Sequence, residues 1–333
     1  MSQLNNITSF EFCQDELQIQ TLQKLIKHKK NHIEILDKLL QGKKYKSEFI
    51  KQRMRECATF VTFADNMIVN ANFCKDKFCP VCAWRRSLKN FAINSKAINH
   101  IVEKGDINFG LLTLTIKNIS AEEVGKAIEN MQYAIKKLTL QTKWKKNISG
   151  AIKTVEITYN PKTNAYHPHV HMIIAFREGY FEETYISQRE FGEMWEKALK
   201  SDYTPIVDIR TIKPKIDKKG KESLSGAVAE VSKYPLKISS MLETVTGNDF
   251  FTIYEALEHK RLLSRSGIFK QALKELNISE EIELTEKAET IEEAIITEDG
   301  EVQDVIKKYK NSIDFVWKNG RYVDLKTLQR NKH

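Results

Sequence analysis

Three histidines alternate with other residues in His167-Pro-His-Val-His171, the spacing at which a β-strand sends side chains to one face. Residues two apart on a strand lie about 6–7 Å apart at Cα, so His169 and His171 can converge on one divalent ion. His167 shares their parity but sits about 13 Å from His171 along a regular strand, too far for comfortable shared ligation. Val170, Met172, Ile174 and Phe176 take the other parity and give the strand an apolar side. Glu156, on the polar parity of the preceding run Lys153–Thr158, is the third ligand the pattern offers. Two imidazoles and a carboxylate leave coordination positions open, which suits Mg²⁺ or Mn²⁺ bridged to a phosphate and polarising it for attack. Such a site needs a nucleophile. In Ser225–Pro235, Glu230 and Tyr234 are four residues apart and share a helix face. A tyrosine attacking a phosphodiester forms a phosphotyrosine, which conserves the bond energy for later religation, and Glu230 is placed to activate water. Lys233 and Lys237 can hold flanking phosphates. Pro235 disfavours the helical region for Tyr234, so the Glu230–Tyr234 geometry departs from an ideal turn.

A second cluster lies upstream. Cys57, Cys74, Cys79 and Cys82 are spaced C-x16-C-x4-C-x2-C, and Cys13 stands apart. The tight FCKDKFCPVC unit can curl its thiolates around one tetrahedral ion, with Cys57 arriving from a preceding strand, and sulfur donors select Zn²⁺. Buried free cysteines are the bland alternative, but four of the five crowd into 26 residues. Residues 51–100 carry nine basic and three acidic side chains, and Trp84 adjoins Arg85 and Arg86. The expectation is a zinc-stapled module with a DNA-contacting rim formed by those three residues.

Positioning these groups requires a sheet. Leu111–Ile116 alternates apolar and Thr residues, Lys153–Thr158 alternates again, and Asn160–Asn164 is a turn before the histidine strand. Ile206–Ile212 is a further strand. Capping-box pairs Ser120/Glu123 and Ser187/Glu190 open helices, the first carrying Val124, Ile128, Met131, Ile135 and Leu138, the second Phe191, Met194, Trp195 and Ala198. Hairpins among alternating strands and helices define an α+β fold, an antiparallel sheet with helices on one face.

The 333 residues set a prior of about two domains. With 41% hydrophobic and 29% charged residues and a mean hydropathy of -0.45, the composition is globular and excludes collagen-like or wholly disordered classes. No run suits a membrane span, and the N-terminus lacks a signal pattern, so a cytoplasmic protein with no membrane partner is expected. The net charge of +9 is uneven: residues 280–304 hold eleven acidic side chains and one basic, and the rest sums to +19, a balance suited to a phosphate-rich partner. The expected organisation is a helical region at 1–50, the Cys-rich module at 51–100, a catalytic domain at 101–250, and a helical DNA-binding or packing extension at 251–279. An acidic linker at 280–304 and a basic tail at 305–333 follow.

His169-Val-His171 with the downstream tyrosine helix resembles the HUH endonuclease superfamily. More narrowly, FCKDKFCPVCAWRRS, LLTLTIKN, VEITYN…HPHVHMII and AEVSKYPLK resemble the replication initiators of small rolling-circle plasmids of Gram-positive bacteria, from about Arg55 to Lys237. The resemblance implies an HUH core and an enzyme that binds the plasmid double-strand origin and nicks one strand through Tyr234. The enzyme would stay on the 5′ phosphate and leave a 3′-OH primer. Glu230 would direct water in the terminating cleavage. Implied partners are origin DNA, double- and single-stranded, a host helicase, DNA polymerase and single-strand-binding protein, with a homodimer left open. His167, outside the superfamily's pair, is left to support the pair or contact DNA. A mobilisation relaxase or single-strand transposase would share this chemistry, and a zinc-dependent DNA-binding regulator would lack it.

Overall fold

A computed structural model describes residues 16–41, 48–64, 67–212, 215–216, 222–232, 245–279, 295–296, 302–303 and 312–326. Its longer elements begin with α1 (Glu16–Gln41), α2 (Glu48–Glu56), β1 (Phe60–Ala64), β2 (Met67–Ala71) and α3 (Pro80–Lys104). Next come β3 (Phe109–Thr115), α4 (Val124–Leu140), α5 (Thr142–Asn147), β4 (Ile148–Asn160), β5 (Ala165–Phe176), α6 (Tyr180–Glu183) and α7 (Gln188–Leu199). The remainder is β6 (Val207–Ile212), α8 (Ser225–Ser232), α9 (Gly247–Leu257), β7 (Leu263–Gly267), α10 (Ile268–Glu275), β8 (Ser312–Lys318) and β9 (Arg321–Asp324). These form two compact units, one of Met1–Arg86, Glu283–Ile295 and Gln303–His333, the other of Ser87–Ile282 and Ile296–Val302. No described helix is long and apolar enough to cross a membrane.

The first unit is built on a four-stranded antiparallel sheet ordered β9-β8-β1-β2. Val61 pairs with Phe315 across the β1–β8 ladder, and Phe63 meets Phe315 edge-on at 5.8 Å between ring centroids. Tyr322 Oη donates to Ala58 O at 2.5 Å, fixing the hairpin to the turn before β1. Within 305–333, where charge alone suggests a tail, the alternation of Ile313, Phe315 and Trp317 instead supplies half of this sheet. Helix α1 buries Leu22, Leu25, Ile35 and Leu36, and its stripe also contains the buried Lys29 and His32. Most of the acidic segment 280–304 lies outside the described residues.

The second unit contains a five-stranded sheet ordered β6-β3-β5-β4-β7, antiparallel throughout. The segment 251–279 supplies its edge strand β7 and the packed helix α10, so it completes this unit's core. Gly267 marks the junction: its φ is +58, and a Cβ there would meet Ser149 O at 2.0 Å, so only glycine fits. Helices cover both faces of the sheet, where the sequence pattern suggested one, because β5 beyond His171 is apolar on both parities. Ile173 and Ala175 join Ile152, Phe109 and residues of α3, α8 and α10 in one core cluster. Met172 and Ile174 share the opposite parity, the side of α4 and α7, where Ile128, Met131, Phe191 and Trp195 are buried. Trp195 Nε1 donates to Thr115 O at 2.9 Å. The Ser187–Glu190 capping box is complete at α7. At Ser120 only the Glu123 carboxylate bond to the Ser120 N–H forms, and α4 begins at Val124.

Candidate functional site

Along one face of β5 the side chains change from apolar to imidazole: Ala175 and Ile173 lie in the core, then His171 and His169 follow on the same parity. β4 brings Glu156 directly opposite His169, and Thr154 opposite His171. The Glu156 carboxylate, 3% exposed, puts Oε2 3.6 Å from His169 Nε2 and 3.5 Å from His171 Nε2. Each imidazole is oriented through its other nitrogen. His169 Nδ1 donates to His167 O at 3.1 Å, and His171 Nδ1 lies 3.1 Å from Thr113 Oγ1. A proton on Nδ1 leaves the Nε2 lone pair directed at the carboxylate, the tautomer a metal ligand needs. Three donors of this type within 4.8 Å of one another fit a divalent cation with open positions.

The site's fourth group comes from α8. Glu230 Oε1 lies 3.7 Å from His171 Nε2. Two buried contacts hold α8 there: Thr154 Oγ1 donates to Val231 O, and Asn94 Nδ2 donates to Ser232 Oγ at 2.8 Å. Asn94 in turn accepts from Arg265 Nε at 2.7 Å, which leaves the Arg265 guanidinium buried inside the unit. A groove of about 540 Å³ opens beside the histidines, lined among others by Thr113, His171, Asp208, Arg210 and Glu230. Asp208 stands opposite Thr113, and its carboxylate holds Arg210 Nε at 2.8 Å. Tyr234, Lys233 and Lys237 lie outside the described residues.

His167 stays out of the three-donor group. Its Nδ1 is 3.0 Å from Asn118 Oδ1 and its ring stacks on His169 at 5.5 Å, while burial and the neighbouring imidazole lower its pKa. Its backbone carbonyl, not its ring, orients His169.

In the first unit the four cysteines meet. Cys57 Sγ lies 3.5 Å from Cys79 and 3.6 Å from Cys82, and Cys74 lies 3.6 Å from Cys82. A tetrahedral Zn²⁺ with about 2.3 Å bonds sets sulfurs about 3.8 Å apart, so this buried all-thiol set fits zinc. Cys57 comes from the turn after α2, not from a strand as its spacing suggested. Hydrogen bonds from the other three thiols hold the Cys82 thiol well below its ordinary pKa. Lys29 of α1 is 2% exposed and sends its ammonium to Cys57 O and, at 3.2 Å, to Arg55 O. Burial lowers its pKa, and the four cysteines pull it back up. His32 is fully buried, and burial and Lys29 push it down to about 3.

The three residues expected at the DNA-contacting rim also make contacts within the protein, and of them only Arg85 is buried. Arg85 is 8% exposed with its guanidinium 5.4 Å over the Phe73 ring. Arg86 donates to Asp76 O at 3.0 Å and to Lys75 O, clamping the loop between Cys74 and Cys79. Trp84 stacks on His28 at 5.2 Å. Trp144 is buried with Phe191 against its edge. The basic residues flanked the right cysteines, but only packing decides which way a side chain near a metal centre turns.

Fold and site together define a mixed α+β protein with a two-histidine, one-carboxylate metal-type site on the antiparallel sheet, beside a groove, and a separate four-cysteine centre. A family model described as "Replication protein" matches residues 65–323, and the chain belongs to that family. It is 35% identical over 241 residues to "Protein rep" of Streptococcus pneumoniae serotype 2 (strain D39 / NCTC 7466), covering 70% of this chain and 73% of that protein. It is 36% identical over 273 residues to "Protein rep" of Bacillus amyloliquefaciens, covering 75% and 79%. A "Replication protein" of Staphylococcus aureus is 30% identical over 200 residues, covering 58% and 84%. No solved structure matches.

Proposed function

We propose that this chain initiates plasmid rolling-circle replication as a metal-dependent, site-specific nicking enzyme of the HUH type. One observation carries the reading: Glu156, His169 and His171 gather beside a groove with Glu230 3.7 Å from His171, in a chain of the Replication protein family. Mg²⁺ or Mn²⁺ held by those three residues would polarise the scissile phosphate. Tyr234 is the nucleophile. Its oxygen bonds to phosphorus, the bond to the 3′ oxygen breaks, and that oxygen takes up a proton to become the 3′-OH primer. The phenol proton leaves to solvent. Thr113 and the His167 carbonyl fix the two imidazoles, so the ligands need little reorganisation.

Glu230, carried on a helix tied to the sheet by Thr154, takes the proton from water in the terminating cleavage, which releases the enzyme. Arg210, steered by Asp208, borders the groove as a phosphate contact for the incoming strand. Cys57, Cys74, Cys79 and Cys82 would hold Zn²⁺, which would staple the first unit and supply no chemistry to the nick. The test is a nicking assay on a supercoiled plasmid carrying the origin, with metal titrated. Glu156→Gln and His171→Ala should raise the Mn²⁺ concentration needed for half-maximal nicking by at least about tenfold. An unchanged requirement in both variants would remove these residues from the metal site.

A further inference from the structure

The back of the catalytic sheet holds a second cavity. Lys153 and Met172 form the strand pair adjacent to Thr154 and His171, so they leave the sheet on the face opposite the histidines. On that side a cavity of about 620 Å³ lies between α4, α5, β4 and β7, lined among others by Lys136, Lys145, Lys153, Arg177, Ser149 and Ser264. Its lining includes four cationic side chains and no carboxylate. Arg177 Nε donates to Lys145 O at 3.2 Å, which ties the end of β5 to α5.

Lys153 is half-buried, and desolvation together with the nearby Arg261 guanidinium lowers its pKa. Among the described residues its ammonium has no carboxylate partner. A desolvated cation beside a second cation is costly unless an anion joins it. The lining offers the Ser264 hydroxyl but no open aromatic face, since Trp144 is 5% exposed. The cavity is therefore suited to phosphate and not to a base.

We infer that this cavity is a phosphate-binding site, separate from the metal face, that takes either the backbone of a nucleic-acid strand or a free phosphate chain. It stands independently of the nicking mechanism, because none of its residues belongs to that site.

The test compares full-length wild type, Lys153→Met and the rim double variant Lys136→Met/Lys145→Met, without added divalent metal. Pyrophosphate should raise the wild-type Tm. Lys153→Met, relieved of its desolvated charge, should melt above wild type without ligand and show no rise. The double variant should melt like wild type and bind pyrophosphate on the order of tenfold more weakly per ammonium removed. If Lys153→Met does not fold, the double variant decides. In a second arm, an oligothymidylate is bound over a range of salt, and the double variant should lower the log–log salt slope by about 1.4, about 0.7 per lost phosphate contact. A lowered slope, with or without the pyrophosphate response, identifies a strand as the ligand; the pyrophosphate response alone identifies a small phosphate compound. No wild-type Tm rise with an unchanged slope overturns the inference, as does an equal rise in all folded proteins with an unchanged slope. Origin nicking by the double variant should stay at wild-type rate.

Discussion

Replacing Lys29 by methionine isolates the coupling between α1 and the cysteine centre. Methionine keeps much of the length and apolar body of lysine but removes the ammonium that donates to Arg55 O and Cys57 O. A hydrogen bond from a charged donor is worth about 1.5–3 kcal/mol, and two are lost here. Relief of the desolvation that already lowers the Lys29 pKa offsets part of this. With zinc bound, four thiolates give the centre a formal charge of about −2. The cation then contributes more than it does in the metal-free chain. The net expectation is about 2 kcal/mol weaker zinc retention, or about 30-fold in affinity. Competition of the zinc-loaded, full-length protein against a chromogenic chelator measures this directly, with Cys79→Ser as the zero. If Lys29→Met surrenders zinc at the same chelator concentration as wild type while Cys79→Ser holds none, Lys29 does not support the centre. If wild type itself holds no zinc, the four-cysteine reading falls first.

Three further outcomes follow from the same geometry. Glu230→Gln should leave the first nick nearly intact but slow release of DNA-linked enzyme by about 10²-fold, read as accumulated covalent complex; equal slowing of both cleavages would give Glu230 a different role. Thr154→Val strips the hydroxyl from Val231 O and should cost about 1–3 kcal/mol in a denaturant melt, with Thr154→Ser recovering most of it; no difference between the two would mean that the bond does not hold α8. Truncation after residue 311 deletes Phe315 and Tyr322, buried side chains worth about 1.5–3 kcal/mol each. It should unfold the first unit and release zinc, and a truncated chain that keeps its zinc would show the hairpin to be dispensable.

The parts legible in the sequence were those set by short-range periodicity. The two-residue alternation through Leu112 and Leu114, and through His169 and His171, is enough to assign strands and faces, and Ser187 with Glu190 marks a helix start. What stayed hidden depended on partners distant in the chain. Nothing local says that residues 312–316 pair with β1 and carry 321–324 into the same sheet, because a short alternating hairpin next to charged residues has the composition of a tail. Arg85 and Arg86 carry the charge expected of a DNA rim, yet one lies over Phe73 and the other ties the loop beside Cys79. Thr113 was visible only as the polar parity of its strand, and its role appears once its register opposite His171 is known. Lys29 did leave a trace: with His32 it interrupts a stripe running through Leu22, Leu25 and Leu36 at steps of three and four, where a solvated lysine would be out of place.

The central claim, a covalent nick assembled on the Glu156–His169–His171 face, is tested most directly by trapping the protein–DNA link. Full-length protein is incubated with Mn²⁺ and a single-stranded origin oligonucleotide, and the adduct is digested and located by mass spectrometry. The expected result is one nucleotide-bearing peptide modified at Tyr234, a free 3′-OH on the released fragment, and no adduct with Tyr234→Phe or without metal. An adduct that persists in Tyr234→Phe, or cleavage with no protein-linked 5′ end, would contradict the mechanism.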